Sequence, residues 1–93
     1  MRLTEYEVTA IKESVYLFDP DAKIYLFGSR VDDMEKGGDI DLIVISKRIT
    51  LSERRKIKIK IYDKIGEQKI DMIITPELTT AFHRIAISTG VQL

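Results

Sequence analysis

The sequence predicts a small α/β domain in which helices and strands alternate. Thr-x-x-Glu capping boxes at Thr4 and Thr50 each introduce a segment with apolar residues at helical spacing. Three short apolar runs, at 24–27, 39–45 and 69–74, have the length of buried strands. Turn residues separate these segments, so we expect helices packed on one small sheet.

Length and composition limit the possible functions. A chain of 93 residues has room for one modest core, so we expect a single domain over residues 1–93. The formal net charge of +0 provides no general attraction to nucleic acid, and we expect no direct nucleic-acid binding. The absence of cysteine excludes disulfides, thiolate zinc sites and thiol nucleophiles. Without a secretory signal or a bilayer-length apolar run, we expect a cytoplasmic protein with no membrane partner.

The first two helices differ in how clearly the pattern predicts them. The first is expected from Thr4 to Phe18, where Asp19-Pro20 stops it. The segment 57–62 is ambiguous, because its isoleucines alternate as in a strand but Ile57, Ile61 and Ile65 also share one helical stripe. The preceding cap at Thr50 and the following Gly66 favour a helix.

The last helix is expected to begin at Thr75-Pro76, with Thr75 as its cap and Pro76 at its first position. Gly90 would end it. Its predicted inner stripe is Leu78, Phe82, Ile85 and Ala86.

Three aspartates are the main candidates for chemistry. Asp39 and Asp41 are spaced i, i+2 in the second strand, which places both carboxylates on one face. Aspartate is a poor strand former and like charges repel, so a cation between them is expected. Carboxylate oxygens suit a hard ion such as Mg²⁺. Asp71, in the third strand, adds a third carboxylate.

The turn after the first strand supplies a candidate phosphate site. Gly28 would let the backbone approach a ligand, and a short helix or turn opened by Ser29-Arg30 would offer N–H groups to a phosphate. Three carboxylates can hold two divalent ions on the order of 4 Å apart. One ion would activate a hydroxyl and the other would neutralise a triphosphate. These groups are suited to in-line attack on an α-phosphate.

Gly28-Ser29, Asp39-x-Asp41 and the later strand residue Asp71 together resemble the nucleotidyltransferase pattern of the DNA polymerase beta superfamily. The resemblance implies a nucleotidyltransferase fold with a mixed sheet of three to four strands. It implies that Asp39 and Asp41 bind two Mg²⁺ ions and that Asp71 binds the catalytic ion near the acceptor hydroxyl. Gly28, Ser29 and the following Arg30 would contact the triphosphate of ATP or another nucleoside triphosphate.

The short length and the tail from Thr75-Pro76 to Gly90-Val91 look like the minimal nucleotidyltransferases of bacteria and archaea. Such small members resemble antitoxins paired with a helical HEPN-domain protein, commonly an RNase toxin. The resemblance implies transfer of AMP to a hydroxyl of that partner (AMPylation). A silent antitoxin that only masks its toxin is the alternative, and transfer to a small molecule or an RNA end is a weaker one.

Surplus apolar residues predict an interface. Ile59 lies off the main stripe of the helix that contains Ile57 and Ile61, and Val91 and Leu93 add apolar side chains at the end of the chain. One small sheet face should not need so many, and exposed apolar surface often marks a binding site. We expect a partner protein or a homo-oligomer.

Overall fold

The computed structural model describes residues 3–31 and 39–93. The polar segment predicted between Val31 and Gly38 therefore lies, apart from Val31, outside the described residues. The elements are α1 (Glu5–Tyr16), β1 (Lys23–Phe27), a short 3-10 helix (Gly28–Val31), β2 (Ile40–Ile45), α2 (Leu51–Ile65), β3 (Ile70–Thr75), α3 (Ala81–Thr89) and β4 (Val91–Gln92).

Both capping boxes form as the sequence predicts. The hydroxyl of Thr4 accepts a hydrogen bond from the Glu7 amide, and the Glu7 carboxylate accepts one from the Thr4 amide. Thr50 and Glu53 repeat this arrangement at the start of α2. Helix α2 continues through 57–62 and ends at Gly66, which has a φ of 85°. The helical interpretation of that ambiguous segment is confirmed.

The four strands form one mixed sheet in the order β3-β2-β1-β4. Strand β1 is antiparallel to both β2 and β4, whereas β2 and β3 are parallel. As a result, β1 ends at the edge of the sheet where β2 and β3 begin. This topology confirms the predicted small mixed sheet.

The two faces of the sheet are covered differently. The buried side chains of Ile40, Leu42 and Val44 alternate along β2 and share one core with residues of α1 and α2. The intervening residues, Asp41 among them, point to the opposite face. Helix α3 packs against β1 and β2, and the ring contact between Phe82 and Phe27 places it on that second face.

The predicted start of the last helix was wrong. Thr75 is the buried last residue of β3, where its carbonyl accepts a hydrogen bond from the Ser46 amide. Its hydroxyl donates to the Glu77 carbonyl at 2.6 Å, which closes a turn instead of capping a helix. Helix α3 begins at Ala81 with Thr80 as its cap, and ends at Gly90 as predicted.

The inner face of α3 also differs from the prediction. Phe82 and Ile85 were predicted on the inner stripe, but they are 52% and 62% exposed. Ala86 is buried, as expected. Ala86 is the buried residue of α3, so the predicted stripe does not form its inner face. Among the described residues, no helix is both long and apolar enough to cross a membrane.

Candidate metal centre

Asp41 and Asp71 lie side by side because β2 and β3 are parallel and in register at these two residues. Asp39 lies one residue before β2 and two residues before Asp41. Residues at this spacing point to the same face of a sheet, so Asp39 and Asp41 share a face. Each of the three offers a carboxylate oxygen, and these atoms all lie within 4.8 Å of one another. The structure thus brings together the three acids that the sequence singled out.

The three carboxylates carry charges of the same sign and therefore repel one another. Burial raises the pKa of Asp41 above its ordinary value, and the neighbouring charges of Asp71 and Asp39 raise it further. Asp71 is the exposed member, whereas Asp39 and Asp41 are partly buried. The site is therefore a concentration of negative charge at one edge of the sheet.

Gly28 packs directly behind Asp41. It has a φ of 78°, in the left-handed region that side chains rarely adopt, and it begins the 3-10 helix where β1 stops. A Cβ atom at this position would overlap the Asp41 carboxylate. Glycine is therefore required both by the turn and by the closeness of the carboxylate.

The sequence also matches a known protein family. The family model described as "Polymerase beta, Nucleotidyltransferase" matches residues 10–93. The chain belongs to this polymerase beta nucleotidyltransferase family. Membership confirms the resemblance to the superfamily and the fold expected from it. No curated protein matches the sequence, and the antitoxin resemblance stays a prediction.

Nucleotidyltransferases of this family in general use a nucleoside triphosphate and a divalent metal, and the acids of this chain fit such a metal. The donor set consists only of carboxylate oxygens, which hard divalent ions prefer over nitrogen or sulfur ligands. Burial, together with the charges of Asp71 and Asp39, raises the pKa of Asp41 and so disfavours its ionised form, which a bound cation would favour. Asp39, Asp41 and Asp71 would hold it.

Ser29 and Arg30 remain predictions as phosphate contacts. Their backbone belongs to the 3-10 helix that follows β1 in this nucleotidyltransferase, so the predicted short helix is present. The positions of their two side chains lie outside the described part of the structure.

Sequence reasoning missed two features beside the acids. The ammonium of Lys69 lies 3.3 Å from the Asp39 carboxylate, and this contact raises the pKa of Lys69. Its spacing, two residues before Asp71, indicates that Lys69 lies on the side of the acids, whereas its contact with Asp39 depends on how β2 and β3 pair. Phe82 was predicted in the core, but its exposed ring packs edge-on against Phe27, the residue before Gly28.

Proposed function

We propose that this nucleotidyltransferase uses Mg²⁺ to transfer a nucleoside monophosphate, with AMP as the expected group, from ATP to a hydroxyl of a partner protein. The observation that supports it best is the cluster of three carboxylates within 4.8 Å of one another. Gly28 opens a turn immediately beside this cluster. Acids and turn together are suited to binding a metal–triphosphate complex.

The sheet order suggests how the roles are divided. Asp39 and Asp41 would hold two Mg²⁺ ions, which supply charge neutralisation for the triphosphate and lower the pKa of the acceptor hydroxyl. The Gly28 turn lies on the β1 side and would receive the triphosphate. Asp71, the exposed acid on β3, lies on the other side and would face the acceptor.

The proposed transfer is a single in-line displacement. The acceptor oxygen forms a bond to the α-phosphorus while the bond from that phosphorus to the bridging oxygen breaks, and pyrophosphate leaves with the electron pair. The hydroxyl proton passes to the Asp71 carboxylate. Asp71 is suited to this step because it is exposed and lies beside the other two acids.

The exposed face of α2 supports a protein partner. Leu51 and Ile59 are 71% and 50% exposed, although Ile57 and Ile61 of the same helix are fully buried. Arg55 and Lys58 border these apolar side chains in a shallow groove. Apolar surface of this kind is typical of an interface. The resemblance to antitoxins suggests that a HEPN-domain toxin is this partner.

Co-expression with the protein encoded by the neighbouring open reading frame tests the proposal, with intact masses measured for both proteins. We expect a partner heavier by whole AMP units with the wild-type chain. The Asp39→Asn, Asp41→Asn double variant should leave the partner unmodified. Partner masses that are unchanged in a stable wild-type complex would contradict the transferase proposal.

The α2 face favours one second candidate, a masking antitoxin that neutralises its toxin by binding alone. Helix α2 packs on the sheet face opposite the acids, so a partner bound by this face alone would leave the carboxylates uncovered, whereas an acceptor partner must also extend to the acid side of the sheet. Neutralisation should then survive the double variant but fail when Leu51 and Ile59 are both changed to alanine. Sedimentation at micromolar concentration would show whether a homo-oligomer occupies this face instead.

A further inference from the structure

We propose that Phe82, supported by Phe27, is a stacking surface for the base of the bound nucleotide. This inference rests on the proposed function and assigns a part of the same site. It begins from the exposed ring of Phe82, which packs against Phe27, the cross-strand neighbour of Asp41.

Phe27 connects the aromatic pair to the acids. It is the last residue of β1 and lies directly opposite Asp41 in the antiparallel pairing. Residues opposite each other in such a pair point to the same face, with Cβ atoms about 5 Å apart. The Phe27 ring therefore shares a face with the Asp41 carboxylate and is its neighbour across the two strands.

Phe82 extends this contact toward solvent. Its ring centroid lies 5.7 Å from that of Phe27, with the rings at 84° to each other. This edge-to-face geometry is a favourable aromatic arrangement and helps to fix the Phe82 ring. The side chain is nevertheless 52% exposed, so much of its surface can contact a ligand.

The order of the strands places this pair on the side where a nucleotide is expected. Gly28, the proposed triphosphate turn, follows Phe27 directly, and Asp71 lies on the opposite side of Asp41. The cross-strand step and the ring contact put the Phe82 ring on the order of 10 Å from Asp41. That span accommodates the ribose that separates a base from its α-phosphate.

Stacking has a defined consequence for specificity. Every base has a π face, so an aromatic platform tolerates all four and discriminates by stacked area, not by hydrogen bonds. We therefore expect ATP and GTP to bind alike, and both to bind more tightly than CTP and UTP.

Calorimetric titration of the full chain with Mg²⁺ present tests the assignment, using ATP and inorganic tripolyphosphate as ligands. Phe82→Leu keeps an apolar side chain but removes the ring, and it should weaken ATP binding roughly tenfold. Binding of tripolyphosphate, which has no base, should stay within about twofold of wild type. Phe82→Trp should retain ATP affinity. Ile85→Ala, a change at a more exposed position of α3, is the matched control and should alter neither ligand.

Other outcomes overturn the assignment. Unchanged ATP affinity in Phe82→Leu would show that the ring does not contact the base. Equal weakening of ATP and tripolyphosphate would show that the ring only supports the fold of the site. If the wild-type chain binds tripolyphosphate as tightly as ATP, base stacking is excluded, whereas the proposed transferase function is not contradicted. A wild-type chain that binds neither ligand would overturn both proposals.

Discussion

The two ends of strand β2 place aspartates in opposite environments. We call the carboxyl end of β2, which Ser46 follows, the far end. There the buried Asp19 carboxylate accepts hydrogen bonds from the Ser46 hydroxyl at 2.6 Å and from the Asp21 amide at 2.9 Å. The Ser46 hydrogen bond is the main reason that the pKa of Asp19 is lowered. At the amino end of β2, which we call the near end, burial and two neighbouring carboxylates raise the pKa of Asp41.

This difference separates an acid that stabilises the fold from an acid that is available for chemistry. The ionised form of Asp19 is satisfied by donors belonging to the chain itself, so it stabilises the turn that joins α1 to β1. The surroundings of Asp41 disfavour its ionised form. A bound cation would favour that form instead. Acids whose pKa is shifted by burial and by neighbouring charges are common at functional sites.

The largest effect is expected from Gly28→Ala. The added Cβ would overlap the Asp41 carboxylate and force a left-handed backbone on alanine, at a combined cost of about 3 kcal/mol in the free energy of unfolding. Gly66→Ala is the matched control, since Gly66 has a φ of 85° but nothing within 4 Å of the added atom. It should cost only the backbone strain, about 2 kcal/mol. Denaturant titration measures both, and equal losses would contradict the close packing of Gly28 on Asp41.

Ser46→Ala tests the satisfied end. The Ser46 hydroxyl donates to Asp19 and accepts from the Arg48 and Ile49 amides, so its loss should lower the free energy of unfolding by about 2 kcal/mol at pH 7. Ser88→Ala, in an exposed position on α3, is the control and should change little.

The pH dependence of the Ser46→Ala effect has a defined sign. Because the folded pKa of Asp19 lies below its ordinary 3.8, its contribution is complete above that pH and is lost as the pH falls through the folded pKa. The difference between wild type and Ser46→Ala should therefore narrow below about pH 3.8. A difference that stays constant through the acid range would show that Ser46 does not act through the Asp19 carboxylate.

Asp41→Asn should have a smaller effect of the opposite sign. Without divalent metal at pH 7, it removes charge repulsion and should raise the free energy of unfolding by less than about 1 kcal/mol. Because the folded pKa of Asp41 is raised, the wild-type chain loses stability as the pH climbs from 3.8 through that pKa. The advantage of the variant should therefore vanish below about pH 3.8. Thermal unfolding in EDTA across this range measures it, and a less stable variant at pH 7 would contradict the repulsion.

The smallest change in stability is expected from Lys69→Gln. Its ammonium is exposed, and surface ion pairs contribute little, so the free energy of unfolding should stay close to that of the wild-type chain. Affinity for Mg²⁺ should nevertheless rise up to about threefold, because the variant removes a positive charge that competes with Mg²⁺ for the carboxylates. Lys60→Gln on α2 is the control for a general loss of charge. Weaker Mg²⁺ binding in Lys69→Gln would indicate that Lys69 helps to form the metal site instead.

The sequence predicted the parts of the molecule that depend on local rules. Capping boxes mark the starts of α1 and α2 because the cap and its glutamate are three residues apart and satisfy each other's amides. Asp39 and Asp41 could be assigned to one face because strand periodicity fixes it. Gly28 could be recognised as the end of a strand because few other residues suit such a turn.

Features that depend on long-range pairing could not be predicted in this way. Thr75 followed by proline satisfies the local rule for a helix start, but pairing of β3 with β2 keeps Thr75 in the sheet. Phe82, predicted on the inner stripe of the helix, is exposed and packs against Phe27 of β1. The contact between Lys69 and Asp39 likewise depends on the parallel register of two strands.

The central claim, that the near-end acids form a divalent metal site and the far-end acid does not, is tested most directly by Mg²⁺ titration followed by thermal unfolding. Three chains are compared: wild type, Asp41→Asn and Asp19→Asn. We predict that Mg²⁺ raises the melting temperature of wild type and of Asp19→Asn by a similar amount, although Asp19→Asn starts lower. Asp41→Asn should lose most of this response, with affinity reduced at least tenfold. A response retained in Asp41→Asn, or absent from wild type, would contradict the account.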